Sequence, residues 1–515
     1  MKRRNGLRMA VLIGSVAVAA LASAQAVPFA LADGAGQVEG DGGGHRPPYP
    51  PPSPQPSPTQ SPPIQLPPPP PQDAWAWTQL VPAGAQVRFV TPAGSCPILV
   101  VTTGGQPVRR QMVQESTVSM YPTTATVCTR LVPPAATAAR IDVTTSPVPV
   151  NAGVNGAVPL PNWTQLGAAT SRPANIAEIG DTGCRIPAVG AAQVCQNTPS
   201  NWPLQNVANA AAARPVPPDL VIHTGDYIYR TLVQTQPAPL CGGPSTSLNY
   251  RTWGCLVTDF FEPAAALLRT APFVFVRGNH ETCQRAGEVW FRYLAPTLST
   301  TACSPGAVQD YSPPVRLNAG TLGLLLTDTS CAGDDLNPPT CDTASGLARY
   351  TAQFNQVNNT LVRPGDNFLL SHTPIWAVVA QNMAGNPVWI TPVLENAVAA
   401  TTVGMLDARI DLILSGHVHL YQMLDFGTAT PRRPPQVTVG DSGTALDDKN
   451  WQDANLINKP VDGVPLVHLV TVRDFGYAVL RDVGTTWNLR HFDQAGAVVP
   501  GTNCNLVGSE FPNCV

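Results

Sequence analysis

The stretch LILSGHVHLY, residues 412–421, passes from apolar to polar within four positions. Leu412 to Leu414 form an aliphatic run of the kind that fills a buried strand. A Ser-Gly break follows, and then His417 and His419 stand one residue apart in a chain with only 8 histidines among 515 residues. Four other runs end in the same way. NIAEIGDTG (175–183) leads to Asp181, and DLVIHTGDYIY (219–229) leads to Asp226 and Tyr229. FVFVRGNHE (273–281) delivers Asn279 and His280, and FLLSHTP (368–374) delivers His372. Segments of helical character lie between such runs, for example TDFFEPAAALLRTA (258–271). Strands alternating with helices predict an α/β domain with a substantial sheet. In such folds ligands gather at the carboxyl ends of the strands. Glycine precedes Asp181, Asp226, Asn279 and His417, and it permits the tight turns that lift a side chain out of a sheet. Five loops at one sheet edge would bring these residues within coordination distance of one another.

Carboxylates, imidazoles, an amide oxygen and a phenolate fit a two-metal centre in which one carboxylate bridges. Two ions about 3.5–4 Å apart lower the pKa of a bound water and clamp a phosphate. The hydroxide then attacks phosphorus in line with the leaving oxygen, and an unligated acid near that oxygen balances the protons.

The ordered set GDTG (180–183), GDYIY (225–229), GNHE (278–281), SHTP (371–374) and GHVH (416–419) resembles the calcineurin-like metallophosphoesterase superfamily, most closely its purple acid phosphatase branch. Most other branches carry Asp-x-His in the first motif. Here Gly183 takes the His slot and Tyr229 stands three residues after Asp226, the exchange by which the purple branch gains a tyrosinate for ferric iron. The resemblance covers about residues 175–440. It implies an α/β fold with mixed sheets, a four-layer αββα sandwich. It also implies two metal ions: Fe(III) held by Asp181, Tyr229 and His419, and Fe, Zn or Mn held by Asn279, His372 and His417, with Asp226 bridging. His280 would be unligated, donating a hydrogen bond or a proton to the leaving oxygen, with Glu281 a candidate to orient it. His223 and His468 are left as core or surface residues.

One departure concerns substrate. Purple phosphatases place a further histidine about nine residues after the one matching His372, whereas this chain has Gln381 and Asn382. An amide binds phosphate oxygen but cannot protonate a leaving group. Gln381 and Arg277 are therefore the candidate substrate contacts, with Arg277 equally suited to pairing with a nearby carboxylate. The expected function is hydrolysis of small phosphate esters by a metal-bound hydroxide. The alternatives are a phosphodiesterase and a catalytically weak metal-binding envelope protein. VGDSGT (439–444) is similar to the segment around a serine-protease nucleophile, but no histidine segment matches, and a turn after a strand is the simpler reading.

The rest of the chain concerns location and organisation. MKRRNGLRMAVLIGSVAVAALASAQA has a basic head, an apolar run and small residues at Ala22, Ala24 and Ala26, the pattern of a secretory signal over 1–32. Residues 47–71 hold 15 prolines in 25 positions, so 33–73 is read as a polyproline II spacer, a route to envelope association. Val/Thr-rich alternating runs predict a small β-sandwich-like domain over 74–158. The catalytic domain is placed at 159–495 and a tail at 496–515. Twelve cysteines without a CxxC argue for disulfides, with sequential pairing as the default, in an exported and bacterial protein that is periplasmic, envelope-bound or secreted. A net charge of −3 offers no basic footprint for nucleic acid, and beyond the signal no apolar stretch is long enough to span a membrane.

Overall fold

The computed structural model describes residues 73–120, 123–163, 171–187, 192–195, 198–230, 252–303, 310–332, 344–380, 387–389, 392–428, 430–461, 463–508, 510–512 and 514–515. The expected signal segment, most of the proline-rich spacer and Gln381 lie outside these residues.

Two large sheets face each other. In the 11-stranded sheet, the strands Asn175–Ile179, Leu220–His223 and Phe273–Phe275 run parallel at the centre. In the 7-stranded sheet, Leu322–Leu326, Asn367–Leu370, Leu412–Ser415 and Gln436–Val439 are parallel. These strands are buried on both faces, which is why they read as unbroken aliphatic runs. Alternate residues divide the work. Ile176, Ile222, Val274, Phe368, Leu370, Leu412 and Leu414 fill the core between the sheets. Ala177, Val221, Phe273 and Phe275 turn outward under the helices Leu204–Ala212 and Ala265–Thr270. Leu369 and Ile413 do the same under Ala344–Gln356 and Pro392–Ala399. The result is a four-layer αββα sandwich of mixed sheets.

The N-terminal β-rich region is a continuation of the first sheet. Ala74–Val81 lies parallel to Phe273–Phe275, with Gln79 opposite Phe273, and Gly84–Thr91 extends the sheet beyond it. A 4-stranded sheet packs its Leu99, Val101, Ala139 and Ile141 against Ala74, Val87 and Phe89, so a sandwich forms here that shares the first large sheet. Buried Arg88 reinforces the join by donating to the carbonyls of Tyr293 and Ala295, at 2.7 Å each.

Disulfides join Cys96–Cys128, Cys184–Cys195, Cys283–Cys303 and Cys504–Cys514, each between sequence neighbours among the cysteines. Cys255 and Cys331 are also disulfide-bonded, and Cys241 and Cys341 lie outside the described residues. No helix among the described residues is long and apolar enough to cross a membrane.

Candidate metal centre

In each of the five motif loops the first candidate ligand comes within four residues of a strand end. Asp181 follows Ile179, Asp226 follows His223, Asn279 follows Phe275, His372 follows Leu370 and His417 follows Ser415. The turns are sharp. Among the described residues five non-glycines have positive φ, and three of them are Asp181 (53°), Asp226 (62°) and His417 (72°). The left-handed region is unfavourable for side chains with a Cβ, and such strain concentrates at functional sites. Two glycines are required by close approach. A Cβ on Gly225 would meet His372 Nδ1 at 2.5 Å, and one on Gly416 would meet Asp181 Oδ2 at 2.5 Å.

The loops bring the side chains into one buried cluster. Donor atoms of Asp181, Asp226 and His372 all lie within 4.8 Å of one another. His372 Nδ1 is 2.8 Å from the carbonyl of Thr224, so this nitrogen carries the hydrogen and Nε2 presents its lone pair inward. Nε2 lies 3.4 Å from Asp226 Oδ1 and 2.8 Å from Asn279 Oδ1, and the same amide oxygen is 3.1 Å from His417 Nδ1. Acceptors therefore face acceptors. A cation among them relieves this; without one, the reversed amide would donate to His372, His417 and Asp226 instead.

The second half of the cluster surrounds Asp181. Its Oδ2 accepts the N–H of His417 at 2.8 Å, while Oδ1 is buried with no hydrogen-bond partner. His419 Nε2 stands 3.5 Å from that oxygen, and neither ring nitrogen of His419 has a hydrogen bond. Tyr229 packs edge-on to His419, centroids 5.2 Å apart. Buried polar atoms left unsatisfied on both sides of Asp226 are the mark of a site built for metal ions. Burial raises the Asp181 carboxyl above its ordinary value. Burial lowers His372, but Asp226 and Asp181 outweigh it and lift the imidazole to about 9, so a positive charge is wanted at this point.

His280 is placed differently from the ligand candidates. Its backbone N–H donates to Asp226 Oδ1 at 2.9 Å, its ring stacks on Tyr229 at 3.5 Å, and its buried Nδ1 has no partner. Burial holds the ring neutral. Glu281 does not bond the His280 ring; it accepts the N–H groups of Asp226 (3.0 Å), Tyr227 (3.0 Å) and Gly278 (3.1 Å), bracing the loop instead. Arg277 takes the other course the sequence allowed, pairing with nearby carboxylates. Its guanidinium is buried, bonded to Glu281 O at 2.9 Å and Asp328 at 3.0 Å, and paired with Asp310.

Several supports escaped the sequence reading. His223 accepts from Gly225 N–H at 3.1 Å through Nδ1 and meets Thr182 Oγ1 at 2.8 Å, so it ties two metal loops together. His468 faces Asp425 at 3.6 Å. VGDSGT is a cradle for the Asp181 loop. Ser442 Oγ accepts from Gly180 N–H (3.2 Å) and donates to Gly476 O (2.9 Å), while Thr444 donates to Asp181 O (2.8 Å) and Gly183 O (2.6 Å). The histidine near Ser442 is His491, whose Nε2 is 2.8 Å from Asp441. Asp447 and Arg285 also flank the ligand candidates, at His419 and at the Asn279 carbonyl. No spacing rule links either to a motif.

Residues 174–421 match the calcineurin-like phosphoesterase family, a span containing all five motifs. This chain carries a calcineurin-like phosphoesterase domain. Two solved structures are similar at low identity. One is described as the structure of PhoD, with 11% identity over 86% of this chain and 91% of that one and a TM-score of 0.49. The other is a conserved uncharacterized protein from Streptococcus pneumoniae TIGR4, with 9% identity over 65% and 97% and a TM-score of 0.23. Among curated proteins none matches significantly.

Proposed function

We propose that this phosphoesterase is an exported dinuclear-metal enzyme of the purple acid phosphatase type, acting on small phosphate esters. The observation that carries the reading is the set of buried lone pairs fanned around Asp226, with Asp181 and His419 on one side and Asn279, His372 and His417 on the other. In this reading Asp181, Tyr229 and His419 hold Fe(III), and Asn279, His372 and His417 hold Fe, Zn or Mn. Asp226 is shared. When bound, the two ions supply Lewis acidity, lowering the pKa of water and neutralising phosphate oxygens.

The chain's own residues do the rest. Thr224 fixes the His372 tautomer so that Nε2 is the coordinating atom. Neutral His280, stacked on Tyr229 with Nδ1 unpartnered, gives a hydrogen bond to the leaving oxygen. The sandwich of 74–158 is an accessory layer on the 159–495 catalytic domain, and the disulfides suit an oxidising compartment.

Hydrolysis of p-nitrophenyl phosphate beside bis(p-nitrophenyl) phosphate tests the proposal, with an Asp226→Ala variant alongside. Monoester turnover that falls by about a thousandfold or more in the variant is expected, because the shared ligand is lost. Turnover of the diester alone moves the enzyme to the phosphodiesterases. No turnover of either ester with metal bound rejects the proposal in favour of a metal-binding envelope protein.

A further inference from the structure

Away from the metal loops, the helix-facing side of the first sheet holds a groove of about 130 Å³. Val479 and Phe492 form its floor, and Arg214, Arg481 and Arg490 stand around it. The register explains the grouping. In the antiparallel strands Gly476–Asp482 and Trp487–Asp493, Val479 lies opposite Arg490 and Arg481 opposite Asn488. Arg481 and Arg490 are therefore diagonal neighbours on one face, roughly 7–8 Å apart. Arg214, just past the helix Leu204–Ala212, places its guanidinium carbon 3.9 Å from the Phe492 ring centroid. Its Nε is buried without an acceptor among the described residues, while the guanidinium also meets the Tyr477 hydroxyl.

Among the described residues no carboxylate forms an ion pair with any of these three arginines. The acids nearby are committed elsewhere. Asp482 pairs with Arg172 at 2.7 Å. Asp493 accepts the N–H groups of Ala495 and Ala497, both at 2.9 Å. Asp219 accepts those of Ala174 (2.9 Å) and Asn175 (3.0 Å). In a chain with only 12% charged residues, three like charges around one hollow repel one another unless an anion sits among them. Guanidinium forks match phosphate oxygens in geometry. Three positive charges balance a phosphate dianion better than a monocarboxylate, and the floor suits an apolar body.

We propose that this groove binds a phosphorylated small molecule, its phosphate held by Arg214, Arg481 and Arg490 and its apolar part resting on Phe492 and Val479. The site is separate from the metal centre. Asn175, on the groove wall, begins the strand that Asp181 follows, and six residues of extended chain span about 20 Å. The proposal is independent of the chemistry at that centre.

Phenylphosphonate, which cannot be hydrolysed as an ester, is the probe. It is titrated by calorimetry into the full chain carrying Asp226→Ala, and into the native chain in parallel. One-to-one binding in the Asp226→Ala protein that Arg481→Glu weakens tenfold or more is expected, with the same arginine-sensitive component in the native chain. Arg481 is exposed and bonds no other side chain among the described residues, so its replacement is expected to leave the fold intact. The absence of saturable binding in both proteins overturns the proposal, as does binding indifferent to Arg481→Glu. Equal affinity for benzoate overturns the phosphate class.

Discussion

Asp447 holds His419 at two points. Its Oδ2 accepts the backbone N–H of His419 at 2.9 Å, and its Oδ1 lies 3.6 Å from the ring Nδ1. The grip is reciprocal, since the Asp447 N–H donates to the His419 carbonyl at 3.2 Å. A carboxylate behind the distal nitrogen of a ligating histidine fixes the ring and raises its basicity. Asp447→Ala should therefore weaken metal retention by about 10–100-fold. Because the Asp447 side chain is 42% exposed, thermal stability of the metal-free protein should change little. Metal content after graded dialysis against chelator measures this; retention equal to the native chain would rule the role out.

Gly183 and Tyr229 are coupled by space. A Cβ at Gly183 would meet the backbone N of Tyr229 at 2.5 Å and the carbonyl carbon of Ile228 at 3.0 Å. The loop that delivers the tyrosine thus occupies the volume that a side chain at 183 needs, so the two exchanges in the motifs come as a pair. Gly183→Ala must push that loop outward. In the proposed centre this should erase the visible tyrosinate–iron absorption and lower activity by at least about tenfold, a sub-ångström displacement being costly in such sites. Unchanged absorption in the variant would contradict the assignment of Tyr229.

The candidate loops were legible because the first ligand candidate of each lies two to four residues beyond an aliphatic strand, as Asp181 lies beyond Ile179 and Asn279 beyond Phe275. That signal is local. What remained hidden depends on distant pairing. Arg277 finds Asp310 and Asp328 from 33 and 51 residues away, so its burial among carboxylates has no mark in its own motif. Alternating runs predicted a β-sandwich-like domain over 74–158, yet alternation carries no information on the partner, and Gln79 lies opposite Phe273 in the first large sheet. VGDSGT resembled the segment around a nucleophilic serine but was read as a turn after a strand, and only the packing of that turn under Gly180 and Asp181 reveals the cradle.

Removing the His280 ring should separate chemistry from metal binding. The ring contributes no atom to the lone-pair fan, and the His280 contact with Asp226 is made by the backbone, which His280→Ala retains. Turnover of p-nitrophenyl phosphate should fall by about 10²–10⁴ while metal content holds. The loss should grow for alkyl phosphates, whose poorer leaving groups depend more on hydrogen bonding. Metal loss that parallels the fall in activity would make His280 a structural residue instead.

Glu178 should set how stability varies with pH. It lies in Asn175–Ile179 facing the inter-sheet core, its carboxyl group fully buried with only the Ser415 backbone nearby to offset the loss of water. Burial first, and then the nearby Asp441, raise its pKa well above 4.5. The unfolded chain releases this proton near 4.5 while the folded chain keeps it. Above that pH the folded state binds one more proton than the unfolded, so stability falls as pH rises, by about 1.4 kcal/mol per unit from this group until the folded value is reached. Glu178→Gln keeps the shape and removes the proton. Its denaturation midpoint should exceed that of the native chain at pH 8, and the gap should close as pH approaches 4.5. Urea unfolding across that range measures the gap, and parallel curves would show that Glu178 is not the group that titrates.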